Sequence, residues 1–130
     1  MFSHVMIGSN DIERSERFYN AVLGIFGMGA AAHNQNKTGQ ERLWYRHDGS
    51  AFAVTQPIDG APATAANGGT IGFKCSSPEQ VQEFHAVAVA HGGTPVEDAP
   101  GARNAGTAAE MHLAYVLDPD GHKLCALYRP

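Results

Sequence analysis

The run His4-Val5-Met6-Ile7 through Val22-Leu23-Gly24 recurs as Thr70-Ile71-Gly72-Phe73 through Ala88-Val89-Ala90, 66 positions later and without a gap. In this overlay Glu13 falls on Glu79, Phe18 on Phe84 and His4 on Thr70. Each copy is a short apolar run, a polar break and then a helical pattern. A second echo lays Asp48-Gly49-Ser50-Ala51-Phe52-Ala53 over Asp120-Gly121-His122-Lys123-Leu124-Cys125, 72 positions apart. Two copies of one supersecondary module account for both echoes, with about six extra residues inside the second copy.

Working outward from the repeat, Phe2 to Ile7 reads as a first strand. Asn10-Asp11-Ile12-Glu13 has capping-box spacing, with Asn10 as N-cap and Glu13 at N3. The helix that follows buries Ile12, Phe18 or Tyr19, Val22 and Leu23, and Gly24 ends it. Gly27 to Ala32 reads as a weaker strand and His33 to Gln40 as a polar loop. Arg42–His47 and Ala51–Gln56 flank Asp48-Gly49, a two-residue hairpin signal. Residues 58–68, rich in Ala, Pro and Gly, read as a linker between module one (1–57) and module two (69–130) of a single domain. In module two, Ser77 caps a helix with Pro78 at N1 and a buried stripe of Val81, Phe84 and Ala88. A short strand at 94–97, a loop at 100–109 and a hairpin of Met111–Leu117 with Lys123–Tyr128 complete it. The order is βαβββ twice, an α+β protein whose helices lie on the outer face of a curved mixed sheet.

Composition narrows the function classes. A chain of 130 residues with 43% hydrophobic and 17% charged residues predicts one globular domain. A net charge of -4 gives no electrostatic case for nucleic acid or an anionic membrane as partner. No apolar stretch approaches the roughly 18 residues of a membrane span. The first strand begins at once, so no signal peptide is expected. Two cysteines, Cys75 and Cys125, make no disulfide framework, and a cytoplasmic, reduced protein is the expectation.

Alternation along the strands sorts side chains onto two faces. Val5, Ile7, Phe52, Val54, Ile71, Phe73, Leu124 and Ala126 share the apolar parity that packs beneath the helices. His4, Met6, Ala51, Ala53, Thr70, Gly72, Lys74, Lys123 and Cys125 share the other, small or polar, which is suited to a small-ligand cup, a solvated face or a dimer interface. Cys75 and Cys125 fall on opposite faces, against a disulfide between them. Trp44 reads as core, and His122 reads as structural in its turn.

With His4-Val5, Phe18-Tyr19, Val22-Leu23-Gly24 and Asp118-Pro119-Asp120-Gly121-His122-Lys123-Leu124, the chain resembles the vicinal oxygen chelate superfamily over nearly its whole length. That superfamily includes glyoxalase I, extradiol dioxygenases and the fosfomycin and bleomycin resistance proteins. The resemblance implies paired βαβββ modules forming a U-shaped cup, usually in a homodimer. It also implies a divalent metal (Zn, Ni, Mn or Fe) held at four strand positions, which carry over here to His4, Ala53, Thr70 and Cys125. Of these only His4 is an ordinary ligand, and His plus Cys is too few for a tight site. The expectation is therefore a glyoxalase-like protein that binds a small organic molecule without the usual metal. Whether it is an enzyme stays open. The alternative is a metal-dependent lyase resembling lactoylglutathione lyase, or a thiol transferase. His4 and Cys125 are the candidate catalytic pair, and His4 is the metal ligand if a metal binds. Ligand-binding candidates are His4, Tyr45, Ala53, Thr70, Lys74, His112, Tyr115 and Cys125, with His112 and Tyr115 as alternatives set by an undetermined parity.

Overall fold

The computed structural model describes residues 1–130. The elements run β1 (His4–Gly8), α1 (Ile12–Gly24), β2 (Ala32–Gln35), β3 (Glu41–His47), β4 (Ser50–Thr55), β5 (Ile71–Lys74), α2 (Pro78–Ala90), β6 (Thr94–Pro95), β7 (Gly101–Arg103), β8 (Met111–Leu117) and β9 (Lys123–Tyr128). The duplication read from the sequence is present in the geometry. Helix α2 begins and ends 66 residues after α1. The parallel pair β1–β4 places Val5 beside Phe52, Met6 beside Ala53 and Ile7 beside Val54. The parallel pair β5–β9 places Ile71 beside Leu124, Gly72 beside Cys125 and Phe73 beside Ala126. Offsets of 66 and 72 convert one register into the other.

Local chemistry explains the boundaries and three departures from expectation. Helix α1 is capped by Asp11, whose carboxylate accepts from the Arg14 amide at 3.0 Å, and not by Asn10. Asn10 is engaged elsewhere: its side chain donates to the Ala63 carbonyl at 3.1 Å and accepts from the Ala63 amide at 2.7 Å. The capping duty passes to the next residue, which matches Ser77 of α2 across the repeat, and Asp11 adds a favourable charge at a helix N-terminus. Strand β2 covers Ala32–Gln35, later than the expected 27–32, because Gly27 turns with φ +80° and Asn20 Oδ1 holds the Ala31 amide at 3.1 Å. The expected loop at 100–109 contains β7, paired antiparallel to β8.

Asp48 and Gly49 have φ of 48° and 81°, the left-handed pair of a type I′ turn, and close the β3–β4 hairpin. The β8–β9 turn is organised by Asp118, whose Oδ1 accepts from the amides of Asp120 and His122, both at 2.9 Å.

The strands lie in two sheets, ordered β1-β4-β3-β2 and β5-β9-β8-β6, with β7 also against β8. No strand of one sheet runs beside a strand of the other, and of the regular elements only α1 and α2 approach each other across the modules. The helix-bearing faces share one apolar core that includes Phe18, Val22 and Phe52 from module one with Val81, Phe84 and Leu124 from module two. Phe52 and Phe73 meet edge-on across the modules with centroids 5.6 Å apart. The opposite faces are therefore turned away from the core and from each other. No helix is long and apolar enough to cross a membrane.

A polar node ties the modules at one end. The buried Tyr19 hydroxyl donates to Asp118 Oδ2 at 2.5 Å, Arg14 pairs with Asp120 at 2.9 Å, and His122 Nε2 lies 2.7 Å from the Gly8 carbonyl. Burial pushes the Asp118 carboxyl up, partly offset by the Tyr19 bond. Burial and the Asp118 charge hold the Tyr19 phenol well above its ordinary range. The neutral phenol is thus favoured in the folded state, and its contribution to stability is lost as pH rises above about 10. Tyr19→Phe leaves Asp118 short of a donor and is expected to destabilise the fold by about 1–3 kcal/mol in urea titrations at neutral pH. Its stability should also fall less steeply than that of the parent above pH 10.

Candidate functional site

Register places each candidate on a definite face. On the helix-free face of the first sheet, which is the outer one in this chain because the helices pack toward the shared core, lie His4 and Met6 of β1, Ala51 and Ala53 of β4, and Arg42, Trp44 and Arg46 of β3. On the outer face of the second lie Gly72 and Lys74, Lys123 and Cys125, and Leu113 and Tyr115. Thr70 is exposed and precedes β5. His112 stands opposite Tyr128 on the helix side, their rings 5.9 Å apart, so of the two β8 candidates Tyr115 is the one facing outward. Tyr45 also departs from expectation. It stands opposite Phe52 on the helix side, buried, with its hydroxyl donating to Asn20 Oδ1 at 2.8 Å.

Trp44 is not a core residue. It stands opposite Ala53 on the outer face, and its indole N–H donates to Asn34 Oδ1 at 3.0 Å. The sequence held the signal for it. A two-residue Asp48-Gly49 turn pairs residue 47 with 50 and hence 44 with 53, and Ala53 already belonged to the cup parity.

Around Trp44 the first sheet builds a compact aromatic and cationic wall. The Arg46 guanidinium lies 5.1 Å from the indole centroid and that of Arg42 lies 6.0 Å from it. The His4 ring meets the indole edge-on at 5.7 Å, and His4 Nδ1 is engaged by Ser3 Oγ at 2.8 Å, which leaves Nε2 for a ligand. Ser3, His4, Trp44, Arg46 and Ala51 line an open cavity of about 660 Å³.

The second sheet's wall is different. Tyr115 stands opposite Cys125, and Lys123 Nζ lies 4.7 Å over the Tyr115 ring while pairing with Glu97. Burial pushes the Cys125 thiol up, offset in part by the Tyr115 hydrogen bond and the Lys123 charge. Cys75, on the helix side, is pushed by burial to about 11. Both cysteines are free. At both, burial is the dominant influence and outweighs what would favour a thiolate, the Lys123 charge beside Cys125 included. His4 and Cys125 lie on faces turned away from each other, so one chain does not assemble them as a pair. A further cavity of about 610 Å³ lies between the modules, lined by residues of both strand parities: His4, Ala51, Gly72 and Lys74 of one, with Tyr45, Phe52 and Phe73 of the other.

The four metal positions do not fit a divalent ion. Ala53 has no donor, Thr70 offers a neutral alcohol, and Cys125 is a thiol that burial keeps protonated. No three His, Cys, Asp or Glu side chains of the chain converge. With the thiol raised, iodoacetamide should modify Cys125 of the folded protein slowly at pH 7 and much faster only above pH 9, as followed by mass spectrometry. Rapid labelling at pH 7 would instead reveal a depressed thiol.

Comparison with known proteins bears on the same residues. The family model described as "Glyoxalase/Bleomycin resistance protein/Dioxygenase superfamily" matches residues 1–126. The chain is 48% identical to a glyoxalase/bleomycin resistance protein from Albidiferax ferrireducens T118, with a TM-score of 0.90 over 100% of this chain and 99% of that one. A glyoxalase-related enzyme from Fulvimarina pelagi is similar in fold at 21% identity and TM-score 0.72, over 100% of this chain and 88% of that one. So is a V278E mutant of glyoxalase I from Zea mays, at 18% identity and TM-score 0.69, over 96% of this chain and 44% of that one. No protein among the curated ones matches.

Proposed function

Because the chain belongs to the glyoxalase/bleomycin resistance protein/dioxygenase superfamily, we propose that it binds a small organic molecule in a cup that two copies build together, without the family's usual metal. The observation that carries this reading is the outward turn of both sheet faces. Each chain offers two half-cups on opposite sides, and each sheet ends in a free edge, β1 in one and β5 in the other. A second copy that sets its β5 edge beside β1 brings Tyr115, Lys123 and Cys125 of one chain opposite His4, Trp44 and Arg46 of the other. A symmetric dimer then contains two identical cups.

The donor set supports the metal-free part. One imidazole and one protonated thiol leave a divalent ion short of both ligands and negative charge. Such a protein is a binder, or a catalyst that works through hydrogen bonds from His4 and Tyr115 alone. Two unpaired thiols suit a reducing, cytoplasmic setting.

Two measurements test this. Sedimentation should give a species of twice 13.8 kDa. Dilution through its dissociation should shift the emission of Trp44, the single tryptophan, which loses its facing wall. A monomer at every accessible concentration overturns the shared cup. One divalent ion retained per chain, and lost in His4→Ala, overturns the metal-free reading and favours a lyase or transferase.

A further inference from the structure

Resting on the shared-cup reading, we propose that the ligand is an organic carboxylate with a flat apolar body, and that Arg46, set in place by Trp44, is the residue that selects its charge. The cations are distributed unevenly over the chain. It is acidic overall, with nine Lys and Arg against thirteen Asp and Glu. Yet Arg42, Arg46, Lys74, Arg103 and Lys123 all stand on outward-facing strand positions, and no Asp or Glu occupies any such position. Glu97, which follows β6, neutralises Lys123 alone. Two walls of one sign that face each other across a cup repel unless an anion lies between them.

Arg42 is committed, donating through Nε to Asn34 Oδ1 at 3.0 Å. Arg46 lies over the indole face, and no acceptor in the chain engages it. With its Cζ 5.1 Å from the indole centroid and its N–H groups unpaired, Arg46 keeps its fork of donors for a carboxylate, which accepts two parallel bonds from such a fork. The indole also limits the rotamers Arg46 would otherwise lose on binding, so less entropy is lost when the anion arrives. His4 borders the same cavity and supplies a further polar contact, while Asp48, the one carboxylate in the lining, lies 3.2 Å from His47 Nε2. The apolar floor is made by Trp44 and the Ala51 methyl, Ala53 being wholly covered by its neighbours. Such a floor leaves room for a flat body and offers it no hydrogen bond.

Trp44 reports on the site directly, because its fluorescence is the protein's only indole signal. Benzoate and 2-naphthoate, titrated against the purified protein, should change Trp44 emission saturably, and the neutral benzamide and 2-naphthamide should bind at least tenfold more weakly. Arg46→Gln should weaken carboxylate binding at least tenfold, Arg46→Lys should fall between, and raised salt should weaken the parent more than Arg46→Gln. Equal affinity for acids and amides overturns the proposal, as does an Arg46→Gln variant that binds the acids normally or an absence of any saturable response. The two readings fail separately. A dimer without acid preference removes the carboxylate and keeps the cup. A monomer that still selects acids through Arg46 removes the shared cup and keeps the carboxylate.

Discussion

Two sheets bury one face each against a common set of side chains, and that burial decides the direction of everything else. Phe52 from one module and Phe73 from the other meet in the same core as Phe84 and Leu124. Each such side chain removed from water contributes on the order of 1.5–3 kcal/mol, so separating the modules would forfeit an amount comparable with the whole net stability of a small domain. The polar node of Tyr19, Asp118 and His122 adds less energy and more direction. Its bonds form at one relative placement of the modules, whereas apolar burial tolerates several. With the inner faces fixed, the outer faces cannot meet within one chain, and the functional surfaces follow as a consequence of packing.

Much of the architecture was legible because it rests on period and repetition. Parity along β1, β4, β5 and β9 depends on alternation alone, and the 66 and 72 offsets hold from Val5–Phe52 to Gly8–Thr55 and their counterparts Ile71–Leu124 to Lys74–Leu127. What sequence could not give was direction between modules, since apolar parity says which face is buried and not what covers it. The errors have the same origin. Tyr45 read as a cup residue because it is polar at one end; its ring packs on the helix side, where Asn20 satisfies its hydroxyl and where it lines the cavity between the modules. Trp44 looked like core because it is large and apolar, but its partners are two guanidiniums and an imidazole edge. Asn10 has the chemistry of a cap and is drawn away by a distant backbone, Ala63, that no local pattern reveals. The face of each strand position was legible, and the side chains that crowd around it were not.

The two copies have diverged most where ligands would touch them. Across the pairs Met6–Ala53 and Gly72–Cys125 the backbone register is preserved and the side chains are unrelated. Backbone pairing is set by the sheet, so either copy can change an outward side chain without disturbing the fold. Loss of ligating residues from such positions leaves the scaffold intact, and the charges on β3 are then free to define what the surface recognises.

A duplicated chain has two modules but a single segment joining them, and symmetry must break where that segment passes. Gly8 marks the place. A Cβ built there would come within 2.8 Å of the Ala63 Cβ, so the joining segment lies directly against the outward side of β1 at its end. The equivalent position in module two is Lys74, with no such segment upon it. One half-cup is therefore floored off at that end by the chain's own backbone, while the other stays open and carries a charge. In the shared cup proposed above, a molecule held between the two halves would meet a blind end and an open end, a polarity along the pocket that neither module possesses alone.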